Sequence, residues 1–187
     1  MNKKIRNSFW MMAIATASLA MSMTACSSDD NEVNNPQGEE RQQTLAGLRA
    51  YAVLPTGTRG SDGALFTDDD IEWFNVTTRE IRFRDTMEPL REKIPLLAGV
   101  DFYLNGENLF SGGATHVGLI CSQMFDDLVL CCGMIDGEVI DDGHYYLYDC
   151  YPLQFINDER VKANRMKRAA QWELFTTYLD GKGKLRK

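Results

Sequence analysis

The sequence predicts an α+β fold: a mainly antiparallel β-sheet, one short internal helix, and a long C-terminal helix packed on the sheet. Three observations predict it. Asn105-Gly106 stands between two apolar runs, the strongest short hairpin signal, because a type I′ turn needs positive φ at both central positions. Runs of period-two alternation recur through the middle of the chain between Gly, Pro, Asn and Asp clusters. From 158 to 179 the period becomes helical, and Gly181 stands where a helix stops.

Leu48, Ala50, Ala52 and Leu54 alternate with Arg49, Tyr51 and Val53, which predicts a strand ended by Pro55. A Gly-rich loop spans 56 to 63. Thr67-Asp68-Asp69-Asp70 reads as a capping box with three acids on the positive end of a short helix, which carries Ile71 and Phe74 on one face. At 79 to 84 the order Arg, Glu, Ile, Arg, Phe, Arg predicts a half-buried strand that turns Ile81 and Phe83 to the core. Pro89 and Pro95 make 85 to 95 an exposed loop. The register of the hairpin sets Phe102 opposite Leu109. Residues 128 to 132 are apolar on both faces, as in a central strand, and Asp136-Gly137 and Asp142-Gly143 mark turns after it. A strand over 145 to 151 is closed by Pro152. Winding the last helix at about 100° per residue sets Val161, Trp172, Phe175 and Leu179 within about 60° of one another, with Arg165 and Arg168 on the same face.

The N-terminus reads as an address. Lys3, Lys4 and Arg6 precede an apolar run from 9 to 21, and no acid appears before Asp29. A membrane span needs about 20 apolar residues, so the shorter run predicts a signal peptide over 1 to 25. Met23-Thr24-Ala25-Cys26 resembles the lipobox of bacterial lipoproteins, with Met23 where Leu is usual. The resemblance implies that Cys26 is the lipid-bearing first residue of the mature chain. Cleavage after Ala20, at the small pair Ser18 and Ala20, is the alternative. Several acyl chains, each CH₂ contributing about 0.8 kcal/mol, anchor stably. Residues 26 to 43 hold one large apolar side chain, Val33, and predict a disordered tether. One globular domain then runs from 44 to 187.

Cys26-Ser27-Ser28-Asp29-Asp30-Asn31-Glu32 also resembles the acidic motif of Bacteroidetes lipoproteins sent to the outer face of the outer membrane. Three more stretches extend the likeness. They are Asp69-Asp70-Ile71-Glu72-Trp73-Phe74-Asn75-Val76-Thr77-Thr78-Arg79-Glu80-Ile81, Phe125-Asp126-Asp127-Leu128-Val129-Leu130, and Tyr145-Tyr146-Leu147-Tyr148-Asp149-Cys150-Tyr151-Pro152. From about Phe66 onward the chain resembles surface lipoproteins of gut Bacteroidetes to which no activity is assigned. That implies an envelope address and carries over no catalytic residue.

Charge excludes one class of partner. Residues 26 to 187 carry 17 Lys+Arg against 27 Asp+Glu, a net charge of −10, which excludes nucleic acid. The charge is divided: residues 26 to 159 are net −17 and residues 160 to 187 net +7. One reading docks the basic helix on its own acidic body, with Arg165 and Arg168 bridging to carboxylates. The other makes Arg165 and Arg168 an anion site for a sulfated or phosphorylated glycan.

Other chemistry is weighed against plainer roles. Cys121, Cys131, Cys132 and Cys150 lie in apolar strand patterns and read as buried thiols, with one inter-strand bridge as the alternative. No CxxC spacing is present, so no zinc site is expected, and neither is any other metal or cofactor. A Cys–His pair using His116 or His144, and an ion held by Asp141, Asp142 and His144 or by the acids 68 to 70, yield to strand-end, turn and capping roles. The motifs GxSxG, HExxH, GxGxxG and the P-loop are missing, and no catalytic residue is assigned. Asp85-Thr86-Met87 matches a short pattern of O-glycosylation at Thr86 in exported Bacteroidetes proteins. Tyr145, Tyr146, Tyr148 and Tyr151 offer a sugar-stacking platform if they face outward. The expectation is an outer-membrane lipoprotein, exposed at the cell surface, acting as a non-enzymatic module for a glycan or an envelope protein. The alternative is a small envelope hydrolase using acidic loops, which requires converging carboxylates in a cleft.

Overall fold

Alternation of apolar and polar side chains sets most of the strands in this fold. The computed structural model describes residues 46–60, 63–116, 123–133, 135, 138–139 and 144–187. In chain order these form β1 (Leu48–Val53), β2 (Phe66–Thr67), β3 (Ile71–Asn75), β4 (Glu80–Phe83), α1 (Leu90–Lys93), β5 (Gly99–Leu104), β6 (Glu107–Ala114), β7 (Val129–Cys131), β8 (His144–Tyr148), a 3₁₀ turn (Leu153–Phe155), α2 (Glu159–Lys167), α3 (Ala169–Gly181) and β9 (Leu185–Arg186). The strands make one sheet in the order β2-β1-β5-β6-β7-β8-β4-β3-β9.

The expected antiparallel sheet is instead mixed and curled: six of its strand pairs are antiparallel and two are parallel. β6 and β7 run parallel, as do β3 and β9. Parallel neighbours need a crossover of a dozen or more residues, and the stretch between β6 and β7 is of that length. Curling comes from the chain order. β2 is at one edge of the sheet and β3 is next to the other edge, yet three residues connect them. The two ends therefore meet across the core, where the Phe66 and Phe83 rings lie 4.8 Å apart.

The expected helix after Thr67 is a strand. Asp70 does reach back to Thr67, accepting from its backbone N at 2.7 Å and its hydroxyl at 3.0 Å. The chain then extends, because Ile71, Trp73 and Phe74 pair with Phe83, Arg82 and Ile81 of β4. The carboxylate closes a turn, and pairing with β4 makes the next residues a strand. A helix does form nearby, but it is α1, inside the stretch expected as loop. Its Leu90 is buried, and the Leu90 backbone N donates to the Tyr145 hydroxyl at 3.1 Å.

The expected long C-terminal helix is two short ones. Asp158 caps α2, accepting from the Arg160 backbone N at 2.8 Å. At Arg168 the backbone leaves the helix, with φ −97° and ψ 11°, and α3 starts beyond it. Arg168 is buried, and its guanidinium is tied to Asp127 and Asp149. Helical periodicity carries no information about such a tertiary tie, and no Gly or Pro marks the break.

The hairpin forms at Asn105-Gly106, with φ of 53° and 90°. Its register differs by one residue from the expected one: Tyr103 pairs with Asn108, but Phe102 pairs with Phe110. A bulge at Leu109 absorbs the difference and leaves both Leu109 and Phe110 buried.

The core lies inside the curl. Ala50 and Ala52 leave room on β1 for the opposed Phe102 and Val100. α3 closes the concave face: Phe175 meets Phe74 at 5.3 Å, Phe110 at 5.6 Å and Phe102 at 6.4 Å, and Trp172 flanks Phe74 and Phe110. Burying Phe175 alone contributes about 2–3 kcal/mol. On the convex face a smaller cluster gathers Val129, Cys131 and Tyr151, with Phe125, Tyr146 and Tyr148 against it.

Candidate functional site

The segment 123–127 enters β7 and places chemistry on both of its sides. Toward one side, Met124 and Phe125 face β5 and β6 across an open groove of about 330 Å³, lined also by Leu97, Ala98, Gly99, Gly113 and Ala114. Gly113 forms its floor because a Cβ there would collide with the Phe125 ring. The missing Cβ at Gly113 thus lets an aromatic ring lie on the sheet backbone. Two rim residues are large, apolar and solvated: Leu97 is 65% exposed and Met124 68%. Leu97 also holds a left-handed backbone, φ 64°, which costs a residue with a Cβ about 1–2 kcal/mol. A smaller cavity of about 110 Å³ continues past Met124 and Phe125 to Phe155 and Val161.

Toward the other side lies an ion-pair cluster. Asp149, at the end of β8, has a side chain only 6% exposed. Its Oδ1 accepts from Arg168 Nη2 at 2.6 Å and its Oδ2 from Arg79 Nη2 at 3.1 Å. Arg168 Nη1 donates to Asp127. Arg79 lies over the Trp172 ring at 4.0 Å. Burial pushes the Arg168 guanidinium down to about 10, with Arg79 adding to the fall. Arg79 is lowered too, first by burial, against the pull of Asp149, and then by Arg165.

The predicted site residues are distributed unequally. Arg165 and Arg168 do come together. Arg168 is engaged by two internal carboxylates, whereas Arg165 is half-exposed with its Nη1 3.9 Å from Asp149 Oδ2. Thr86 is exposed, next to an exposed Asp85 that pairs with Arg82 at 3.2 Å. Cys26 lies outside the described residues, as do Cys121, Asp141, Asp142 and both Asp-Gly turns.

Cysteines and acids take structural places. No disulfide joins Cys131, Cys132 and Cys150 to one another. Cys131 and Cys132 face opposite sides of the sheet, one in the convex cluster and one in the main core. Cys132 Sγ donates to the Thr115 carbonyl at 3.0 Å, and burial pushes its thiol up to about 12. His144 Nδ1 is 2.9 Å from Glu80 Oε1. Asp68 accepts from the Tyr178 hydroxyl at 2.8 Å and faces Lys182 at 3.5 Å, so acids 68 and 70 serve separate contacts. Tyr145 and Tyr151 are buried; Tyr146 and Tyr148 are half-buried and stacked on each other at 5.4 Å, so their ring faces meet each other.

Sequence reasoning missed Asp127, Asp149 and Arg79 as one cluster, and Leu97 and Met124 as one rim. Asp149 did carry a signal: a single acid among Tyr148, Cys150 and Tyr151 needs a cationic partner if buried. Leu97 and Met124 carried none, being brought together only by the sheet. Among the described residues no helix is long and apolar enough to cross a membrane. The chain matches no family model, no curated protein and no solved structure.

Proposed function

We propose that this chain is an outer-membrane lipoprotein, anchored through Cys26 and displayed at the cell surface, whose domain is a non-enzymatic module that docks an envelope protein in the groove at Leu97 and Met124. The observation that carries the docking is Leu97. Its left-handed backbone belongs to the turn that Ala98 N closes on the Pro95 carbonyl at 3.0 Å, but a large apolar side chain held out in water at the mouth of the groove gains no burial from the domain. Contact with a partner's apolar side chain supplies the missing burial, and Met124 adapts to its shape. The volume of about 330 Å³ is at the lower end of the range of ligand pockets, enough for one or two side chains. Lipidation and export rest on the residues before Ser28, the acidic motif after Cys26, and the resemblance to gut Bacteroidetes lipoproteins.

The lining is apolar apart from Gln123, whose amide is already bonded to the His116 backbone at 3.0 and 3.1 Å, and this favours an envelope protein over a glycan as the groove's ligand. The rival hydrolase needs converging acids. The two that line the smaller cavity, Asp126 and Asp158, are engaged by Arg160: one as an ion pair at 3.7 Å, the other as the cap of α2.

A photo-crosslinking residue at position 97, in intact cells of the native host, tests the reading. One discrete adduct is expected, lost with Met124→Glu and missing when the crosslinker is moved to the exposed Glu173 on α3. A diffuse smear at both positions, or an adduct indifferent to Met124→Glu, would overturn it.

A further inference from the structure

The ion-pair cluster leaves one guanidinium without a hydrogen-bonded acid. Asp149 has two oxygens, one taken by Arg168 and the other by Arg79. Asp127 takes the other end of Arg168 and also accepts from the Leu128 backbone N at 2.7 Å. Asp126 is the partner of Arg160. Arg165 comes to Asp149 third, at 3.9 Å, beyond hydrogen-bond reach and on an oxygen already occupied. Three guanidiniums therefore meet two carboxylates, a net charge of +1 at this spot. Arg79 shows the same imbalance from inside: its Nη1 is buried and finds no acceptor among the described residues.

We propose that Arg165, positioned by the Asp149–Arg79 pair, is the anchor of a binding site for a small oxyanion, a carboxylate or sulfate group. Of the two arginines expected from the sequence, Arg165 remains available, Arg168 is already engaged, and Arg79 joins the site. The site is separate from the groove.

Geometry favours that ligand class. A guanidinium presents a planar fork of donors that matches two oxygens of a carboxylate or sulfate. Half-exposure leaves the Arg165 fork reachable, while Asp149 beneath it is covered by three arginines and repels an incoming anion little. Arg165 stands in the last turn of α2, whose carbonyl end is negative. The helix therefore does not attract the anion, and the guanidinium must. Beyond the effect of burial, the arginines depress one another, Arg165 acting on Arg79 and Arg79 on Arg168, as closely spaced guanidiniums do.

The test uses the full chain purified in detergent, titrated with sodium sulfate or sodium glucuronate at ionic strength held constant with chloride. Arginine side-chain NMR signals are the readout. A saturable shift of the Arg165 signal is expected, with an attendant shift at Arg79. Arg165→Gln should weaken binding about tenfold or more, and Arg165→Lys, which keeps the charge and loses the fork, should weaken it as well. Lys167→Gln, an exposed cation on the same turn, should leave it unchanged. Thermal unfolding of each variant shows whether the fold is intact. Saturation by glucuronate alone assigns a carboxylate ligand, by sulfate alone a sulfated one, and by both an oxyanion of either kind. Shifts that rise linearly without saturating, or binding that survives Arg165→Gln, would overturn the proposal. Either result leaves the partner groove standing, because crosslinking at position 97 reads a different surface.

Discussion

Replacing Arg168 by Ala is the sharpest test of how the C-terminal helices are held. Arg168 is 8% exposed and donates to two carboxylates. Breaking a buried ion pair costs about 3–5 kcal/mol when the partner is left uncompensated. Here the compensation is partial. Asp149 keeps Arg79 at 3.1 Å and Arg165 at 3.9 Å, and Asp127, whose side chain is 51% exposed, regains water. What is lost is the pair of charge-assisted bonds, about 1.5–3 kcal/mol each before rehydration, together with the packing of the arginine stem. The expected net loss is about 2–3 kcal/mol, a fall in Tm on the order of 8 °C for a domain of this size. Urea unfolding of residues 26–187 carrying Cys26→Ala measures it. Asp149→Asn should cost more, because it leaves three guanidiniums around a neutral group. A loss below about 0.5 kcal/mol for Arg168→Ala, or Asp149→Asn proving milder than Arg168→Ala, would refute the reasoning.

Four further outcomes are expected. Gly113→Ala drives a methyl into the Phe125 ring and should cost about 1–3 kcal/mol by overpacking, with Gly113→Ala/Phe125→Leu recovering part of it in the same urea assay. Cys132, raised from 9.0 to about 12, should resist iodoacetamide at pH 8 in the native protein and react on unfolding; its contribution to stability is fully present below pH 9 and is lost as pH climbs toward 12, so a flat stability profile over that window counts against it. Cys26→Ala should leave the protein unacylated and away from the outer membrane, and Asp29→Ala with Asp30→Ala should lower its accessibility to protease on intact cells; a wild-type protein digested only after lysis would turn the domain toward the periplasm. An intact mass from the native host should exceed peptide plus lipid by a glycan that Thr86→Ala removes.

Where local pattern and tertiary pairing agree, the sequence was legible. Ile81 and Phe83 alternate inward on β4 as their spacing predicts, Val129 to Cys131 are buried in a central strand, and Asn105-Gly106 turns the hairpin. It failed where one tertiary contact overrode the pattern. Thr67 and Asp70 make the side-chain contact that opens a helix, but Ile71 to Phe74 find a strand partner in β4 and no helix forms there. The parallel pairs escaped because turn residues announce hairpins, while nothing local announces that β9 will return beside β3, more than a hundred residues away.

The site was legible in the same uneven way, for a related reason. Charge division marked Arg165 and Arg168 as residues that meet acids, since a basic helix after an acidic body has to neutralise itself. It did not say which arginine would be consumed by the fold and which left facing water. That depends on counting oxygens: Asp149 has two, and they are taken by Arg168, which is buried, and by Arg79, which is less exposed than Arg165. Arg79 was hidden as one of three arginines in an alternating strand. Its left-handed backbone, φ 64°, takes it off the path of β4 and over Trp172, and no spacing rule predicts that turn. Arg165 is left over because the fold uses its neighbours, so its availability is a property of the assembled cluster and of no single segment. Asp149→Asn tests that directly: it should loosen Arg79 and Arg168 from their places, destabilise the helices and, by removing the pair that positions Arg165, weaken sulfate binding as well.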